Sequence, residues 1–352
     1  ALAYGGNPTT WADVMGKPAI DPRDHGAQGD GSHDDTAALQ AVISAAPTAD
    51  GIATIEIPDG HYIVTSTLTV KSDLVIRGLG NNVTIDFSTA AVAGDNLFEY
   101  VGASLSDVTI ENLHLIGQGT DKGDGSASGV AVRFSADALT RITVRGCTFT
   151  NWRYGVLLGS TGVVDSPYVT GNRFVACPHT GVTMNASLNA TITDNWVDSL
   201  RTGTGDEVSG VVGIWCSPLA SGAHHENMLV QGNHVQNTYA EGINICGKHV
   251  SVVGNTVTGC NDGITVEPIF VTTGTAEDVK AFSVVSGNVV RDNTLGGITV
   301  RHDPINNTRS AGYVAVTGNV TSGNRDGIRI GLAGASTGVV SDVTVSGNVC
   351  SD

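Results

Sequence analysis

Val169-Thr-Gly-Asn172, Ile192-Thr-Asp-Asn195, Val230-Gln-Gly-Asn233, Val252-Val-Gly-Asn255, Val285-Ser-Gly-Asn288, Val316-Thr-Gly-Asn319 and Val345-Ser-Gly-Asn348 are one phrase written seven times. Val144-Arg-Gly-Cys147 repeats it with Cys in the Asn place. Successive Asn residues are 23, 38, 22, 33, 31 and 29 positions apart. A basic period near 22 with inserts added at one point is the mark of a stacked repeat. One unit cannot bury its own apolar face, but neighbouring units bury it together.

The unit is made of strands. Between the Asn positions, apolar and polar residues alternate with period 2 and are rich in Val, Ile and Thr. Each Asn is followed by a short strand with an apolar residue: Phe174, Trp196 or Val197, Val235, Val257, Val290. A second series opens on Gly: Gly129-Val, Gly155-Val, Gly181-Val, Gly242-Ile, Gly263-Ile, Gly297-Ile and Gly327-Ile. Near 213, Gly210 and Gly213 leave two registers open. The expected fold is all-β: a right-handed, single-stranded parallel β-helix with three short strands per coil, rungs about 4.8 Å apart. The Asn is expected in a tight turn, tolerating a left-handed backbone, with amides laddered from rung to rung. An ordinary β-sandwich gives no reason to keep one phrase in one place.

Composition narrows the function. The 352 residues carry 46 Gly, 5% aromatic residues and a formal net charge of −16. That charge excludes nucleic acid and anionic membrane as expected partners and handicaps a polyanionic substrate unless a local basic strip exists. No 18-residue apolar run occurs, so no transmembrane helix is expected. The six Cys do not form a disulfide framework; Cys177 and Cys260 share a column three rungs, roughly 14 Å, apart. No Cys/His spacing suits zinc and no acid cluster suits calcium, so no metal and no cofactor are expected.

Residues 1–19 read as an N-terminal extension and 20–352 as the β-helix domain. Asp24 to Thr36 is turn-rich and leads into Thr36-Ala-Ala-Leu39-Gln-Ala-Val42-Ile43-Ser-Ala-Ala46, a helix with Asp34, Asp35 or Thr36 as its N-cap. This segment, about 34–46, is expected to cap the first coil. Ile55-Glu-Ile-Pro58-Asp-Gly60-His-Tyr62 reads as strand, turn, strand.

The run from Gly26 to Gly31, the Asp34-Asp35-Thr36 triplet, the Ala-rich helix and Ile57 to Tyr62 resemble the entry pattern of the pectate-lyase-like superfamily. The likeness is to the branch shared by phage tailspikes and secreted glycan-degrading enzymes. It extends over about 20–350 and implies the β-helix fold, a polysaccharide or oligosaccharide partner and an extracellular, secreted or virion-associated location. Trp11 to Pro18 also looks like a phage tail-fibre linker phrase. The superfamily holds lyases, hydrolases, epimerases, transferases and non-catalytic spikes, so the resemblance fixes no reaction. Trimers are common in it, and the chain stops at Asp352 with no evident cap, so either a partner subunit, as in a homotrimer, or a missing C-terminal region is expected.

Alternation places site candidates on the outer face of the Gly-led sheet. The residue before the Gly is Glu241, Asp262 and Asp326 on three rungs, with Gly296 between the last two. Stacked rungs would set the Glu241 and Asp262 carboxylates roughly 5 to 7 Å apart, the arrangement of an acid and a nucleophile or base in glycoside cleavage. Asp before Gly is also a turn former, whereas Glu is not. Polygalacturonase-like members carry catalytic Asp in similar places; Asn261-Asp262-Gly263 is a partial match, and their Gly-His-Gly element is absent. Glu267, Arg301, His302 and Asp303 form a second constellation: a surface ion pair, or the base and neutralising cation of a uronate lyase or epimerase. Asn244, Thr265 and Arg329 point outward, as does Trp215 in one register. Trp215, Tyr239, Tyr154 and Trp152 are aromatic enough to stack on sugars. Inserts at 217–227, 268–282, 302–313 and 332–342 flank the short rung at Gly242, which points to a groove at Glu241 and Asn244. His224-His225-Glu226 reads as a solvated loop, with metal binding by the two neighbouring His as the alternative. Glycosidic cleavage by Glu241 and Asp262 leads; a uronate lyase or epimerase working through Arg301 or His302, and a non-catalytic adhesin, are the alternatives.

Overall fold

The structure is a computed structural model and describes residues 19–48, 51–90, 95–118, 129–159, 162–198, 211–217, 225–267, 282–301, 313–331 and 342–352. Among these, 32 strands pair in parallel from rung to rung as one continuous winding sheet. The β-helix expected from the repeat is what forms. Three short strands per coil hold from about residue 148 onward. Nearer the N-terminus they merge into long strands such as Leu74–Asp86, Phe98–Glu111 and Val130–Arg145.

Register is constant. One inward column runs Val132, Val156, Val182, Ile214, Ile243, Ile264, Ile298, Ile328, each paired with the next. Its members down to Ile298 are fully buried in one hydrophobic cluster. Burying each such side chain contributes about 1.5–3 kcal/mol.

The Gly that opens each strand has a steric cause. At Gly263 a Cβ would stand 2.2 Å from Val290 Cγ1 and 2.5 Å from the Gly297 carbonyl oxygen. At Gly242 it would stand 2.3 Å from Val257 Cγ1. The corner is too tight for any side chain. The register at 213 is settled the same way: Ile214 pairs with Val182 and Ile243, and a Cβ on Gly213 would meet Val235 Cγ1 at 2.4 Å.

The Asn ladder is continuous from Asn172 to Asn348. Asn172 Nδ2 donates to Asn195 Oδ1 at 3.0 Å, and Asn195 to Asn233, Asn233 to Asn255, Asn255 to Asn288, Asn288 to Asn319 and Asn319 to Asn348 follow at 2.9–3.0 Å. Each Oδ1 also accepts the backbone N–H of the preceding Asn. Each Nδ2 also donates to a carbonyl of the rung before, as Asn255 does to Val230. The expected left-handed Asn is corrected: positive φ belongs to the residue before it, at Gly171, Gly232, Gly254, Gly287, Gly318, Gly347 and, without glycine, Asp194. Glycine takes the turn and frees Asn to ladder.

The helix, here α1 (Thr36–Ala45), buries Ala38, Leu39, Val42 and Ile43 in the same cluster as the first coils. Asp34 Oδ1 accepts the Thr36 N–H at 3.0 Å. The Asp35 carboxylate is fully buried and turns away, accepting the N–H groups of Gln28 and Gly29 at 2.7 and 3.1 Å. Ala53–Ile63 departs from the strand-turn-strand reading. It is one strand, with Pro58 and Gly60 absorbed in a register shift against Leu74–Asp86.

Asn255→Ala should strand two buried donors on Asn233, at about 1–3 kcal/mol each. Asn348→Ala strands the same two donors of Asn319 on a more open rung and should cost less. Urea denaturation of both variants checks the order.

Candidate carbohydrate site

Three outer columns of the Gly-led sheet carry the candidate residues. In the first, Glu241 pairs in register with Asp262, and Gly296 with Asp326. The second runs Leu157, Thr183, Trp215, Asn244, Thr265, Thr299, Arg329. A third, at the strand ends, pairs Cys246 with Glu267.

Two arginines cross these columns. Arg301 donates through Nε to Glu267 Oε1 at 2.6 Å and through Nη2 to Glu241 Oε1 at 3.0 Å. Arg329 donates through Nη2 to Asp262 Oδ1 at 2.8 Å and Thr299 Oγ1 at 3.2 Å. Its Nη1 lies 3.8 Å from Asp326 Oδ2. Each guanidinium therefore reaches a carboxylate two rungs back in the coil. The Gly296 N–H donates to the same Asp262 oxygen at 2.9 Å. Gly296 also opens the path, since a Cβ there would sit 2.7 Å from Asp262 Oδ1 and 3.2 Å from Arg329 Nη2.

The cluster is largely withdrawn from water. Side-chain exposure is 7% for Glu267, 14% for Glu241 and 13% for Asp262, against 26% for Arg301 and 23% for Arg329. Glu267 and Arg301 are thus not the solvated surface pair whose worth is small. Burial pushes the Glu267 carboxyl above its ordinary value, outweighing Arg301 and the Cys246 thiol, which donates to Oε2 at 2.9 Å. Burial acts to lower Arg301, but Glu267 and then Glu241 outweigh it and hold its proton more tightly.

The remaining candidates are placed as follows. Asn244 and Thr265 stand on the outer column but are buried, Thr265 fully. Trp215 is half-buried beside them on the same column, and Tyr239 is half-buried two residues before Glu241. His302, Asp303, His224, the 268–281 stretch and most of the other inserts lie outside the described residues, so the expected groove walls do too. Trp152 is a core residue, fully buried with Nε1 donating to the Leu115 carbonyl, and is not open to a sugar. Tyr154 is buried against His179, 3.2 Å between Oη and Nε2. His225 corrects the solvated-loop reading: it is fully buried, its Nδ1 accepting the Ser187 N–H at 2.9 Å. No group of three or more His, Cys, Asp or Glu fit for a metal occurs among the described residues.

Sequence reasoning missed Cys246, Thr299 and the role of Gly296. Alternation from Asn244 puts Cys246 outward, so that one was within reach. The span of the two arginines was not.

A family model for rhamnogalacturonase A/epimerase, pectate lyase-like proteins matches residues 20–265. The chain belongs to that family. It is therefore a β-helix protein of a carbohydrate-active family. Mannuronan C5-epimerases AlgE3 and AlgE5 of Azotobacter vinelandii are each 44% identical over 70 residues, 18% of this chain. The chain spans only 4% and 7% of their lengths. The tailspike of E. coli bacteriophage HK620, solved with a pentasaccharide, aligns with TM-score 0.68 at 16% identity over 94% of this chain and 66% of that one. The Streptococcus pneumoniae surface adhesin PfbA aligns with TM-score 0.58 at 16% identity over 95% and 93%. An exopolygalacturonase from Thermotoga maritima gives TM-score 0.58 at 13% identity, over 92% of each chain. These structural likenesses show the fold.

Because burial raises the Glu267 pKa, the folded chain keeps that proton to higher pH than the unfolded chain. This contribution to stability is complete below the ordinary carboxylate value and is lost as pH rises through the raised one. Glu267→Gln cannot ionise, so its stability relative to the parent should rise between about pH 4 and about pH 7. Urea midpoints at the two pH values measure this; a constant difference contradicts it.

Proposed function

We propose that this chain cleaves glycosidic bonds in a polysaccharide or oligosaccharide, using the carboxylates Glu241, Asp262 and Glu267. The observation that carries the reading is a buried acid with a raised pKa, Glu267, sharing Arg301 with a second acid, Glu241, while Asp262 stands in register beside Glu241. Glycoside cleavage needs two such roles: a carboxyl that gives a proton to the leaving oxygen and a carboxylate that attacks or activates water. Glu267 serves as the proton donor, since burial favours its neutral form. Glu241 and Asp262 supply the carboxylate. Arg301 and Arg329 hold these groups in place. Asn244, Thr265, Trp215 and Tyr239 belong to the surrounding shell. The chain acts outside the cell, secreted or virion-associated, and assembles as a trimer, for which light scattering should return three times the chain mass.

A lyase with Arg301 as its base is the weaker reading, because a base must first lose its proton and two carboxylates hold that proton on. The likeness to mannuronan epimerases keeps epimerisation as the second reading, separable by product. Hydrolysis or transfer releases saturated oligosaccharides, elimination leaves an ultraviolet-absorbing unsaturated end, and epimerisation leaves chain length unchanged.

A polysaccharide screen with product mass analysis tests the proposal, with saturated oligosaccharides expected. In the same assay Glu241→Gln should lower kcat by about 100-fold or more while leaving the urea midpoint near that of the parent. Unchanged turnover removes Glu241 from the reaction, and binding without product from any glycan leaves an adhesin.

A further inference from the structure

Rhamnogalacturonase, pectate lyase and mannuronan epimerase are names of enzymes acting on acidic sugars, and two arginines on the outer face invite the same assignment here. The charges around them point the other way. Arg301 is bound to Glu267 and Glu241, and Arg329 to Asp262 with Asp326 close by. Arg325 pairs with Asp326 at 3.1 Å. Even with Glu267 protonated, three carboxylates meet three guanidiniums, so no cation of this cluster is left over among the described residues. Two further cations of the sheet are placed alike: Arg133 is bound to Glu99, and Lys248 lies 3.4 Å from Glu226.

The sequence of the intervening segments adds no positive excess. Within 199–210, 218–224, 268–281, 302–312 and 332–341 the cations are Arg201, Lys280 and Arg309, and the acids are Asp206, Glu207, Glu277, Asp278 and Asp303. The whole chain stands at −16. A uronate polymer brings one carboxylate per sugar. To bind here it would have to break an existing arginine–carboxylate pair and leave a mostly buried acid unpaired beside a second anion, against the field of the whole molecule.

We infer that the site takes a neutral glycan, at least at the sugars lying across Glu241, Asp262 and Glu267, and rejects uronate polymers. This rests on the glycan-directed reading above and adds the substrate's charge class to it. The pairing itself is the discriminating element: arginines already held by carboxylates present hydroxyl-sized hydrogen-bonding sites rather than a free positive field. Neutral sugars, recognised through hydroxyls and ring faces, lose nothing by the negative surroundings.

Affinity electrophoresis of the full chain tests the inference. Galactan, α-glucan, arabinan and mannan would be compared with polygalacturonate and alginate. Each polymer is run at about 50 mM and about 300 mM salt, with and without calcium. At least one neutral polymer should retard the protein about tenfold more strongly than either uronate, with little change on adding salt. Retardation by a uronate that weakens with salt, or that appears with calcium, overturns the inference and leaves the cleavage proposal standing. Retardation by a neutral polymer that yields no products supports the charge class and removes the cleavage proposal. Retardation by no polymer overturns both.

Discussion

The rung-to-rung hydrogen bond between buried Asn amides is the constraint on which the rest depends. A parallel β-helix could slip one coil against the next at each insert, and the inserts differ in length from rung to rung. The ladder from Asn172 to Asn348 removes that freedom, because each Oδ1 takes both an amide and a backbone donor from its neighbour. A slip by one residue would strand these donors in the core and turn the Val and Ile columns outward. Whatever is inserted elsewhere in the coil, the two flanking strands return to the same place.

That return is what assembles the carboxylate cluster. Arg301 and Glu241 are sixty positions apart, and Arg329 and Asp262 sixty-seven, yet each pair is in direct contact. The inward-facing Gly at the corner contributes as well. No side chain fits there, so the residue before it, Glu241 or Asp262, is where the outer face begins. Gly296 adds a gap in the first column through which Arg329 reaches Asp262. Among the described residues, fold and candidate chemistry are thus linked by small residues at a corner and a gap.

Much of this was legible in the sequence, because it follows from periodicity. The repeated Asn, the leading Gly and the β-branched alternation are local, and they carry register with them. The adjacency of Glu241 and Asp262 came from counting rungs. Other features needed the third dimension. Trp196 and Val197 were equivalent by spacing; the structure buries Val197 and stacks the exposed Trp196 ring on His234 at 4.0 Å. Propensity alone allows the left-handed turn at Asn, whereas the structure gives the positive φ to the residue before it and leaves the Asn side chain to ladder. His225 looked like loop because its neighbours are polar, and only the closing of the coil on Ser187 buries it. Long arginines reaching across two rungs leave no trace in residue spacing at all, and they decide the electrostatics of the site.

The central claim is that constant coil registration couples side chains sixty and sixty-seven positions apart into one charged cluster. A double-mutant cycle on Asp262→Asn and Arg329→Gln, read by urea denaturation, addresses it most directly. The account predicts a favourable coupling of about 1 kcal/mol or more between the two positions. Additive effects, with coupling within about 0.3 kcal/mol of zero, would mean that these rungs do not bring the pair together and would contradict it.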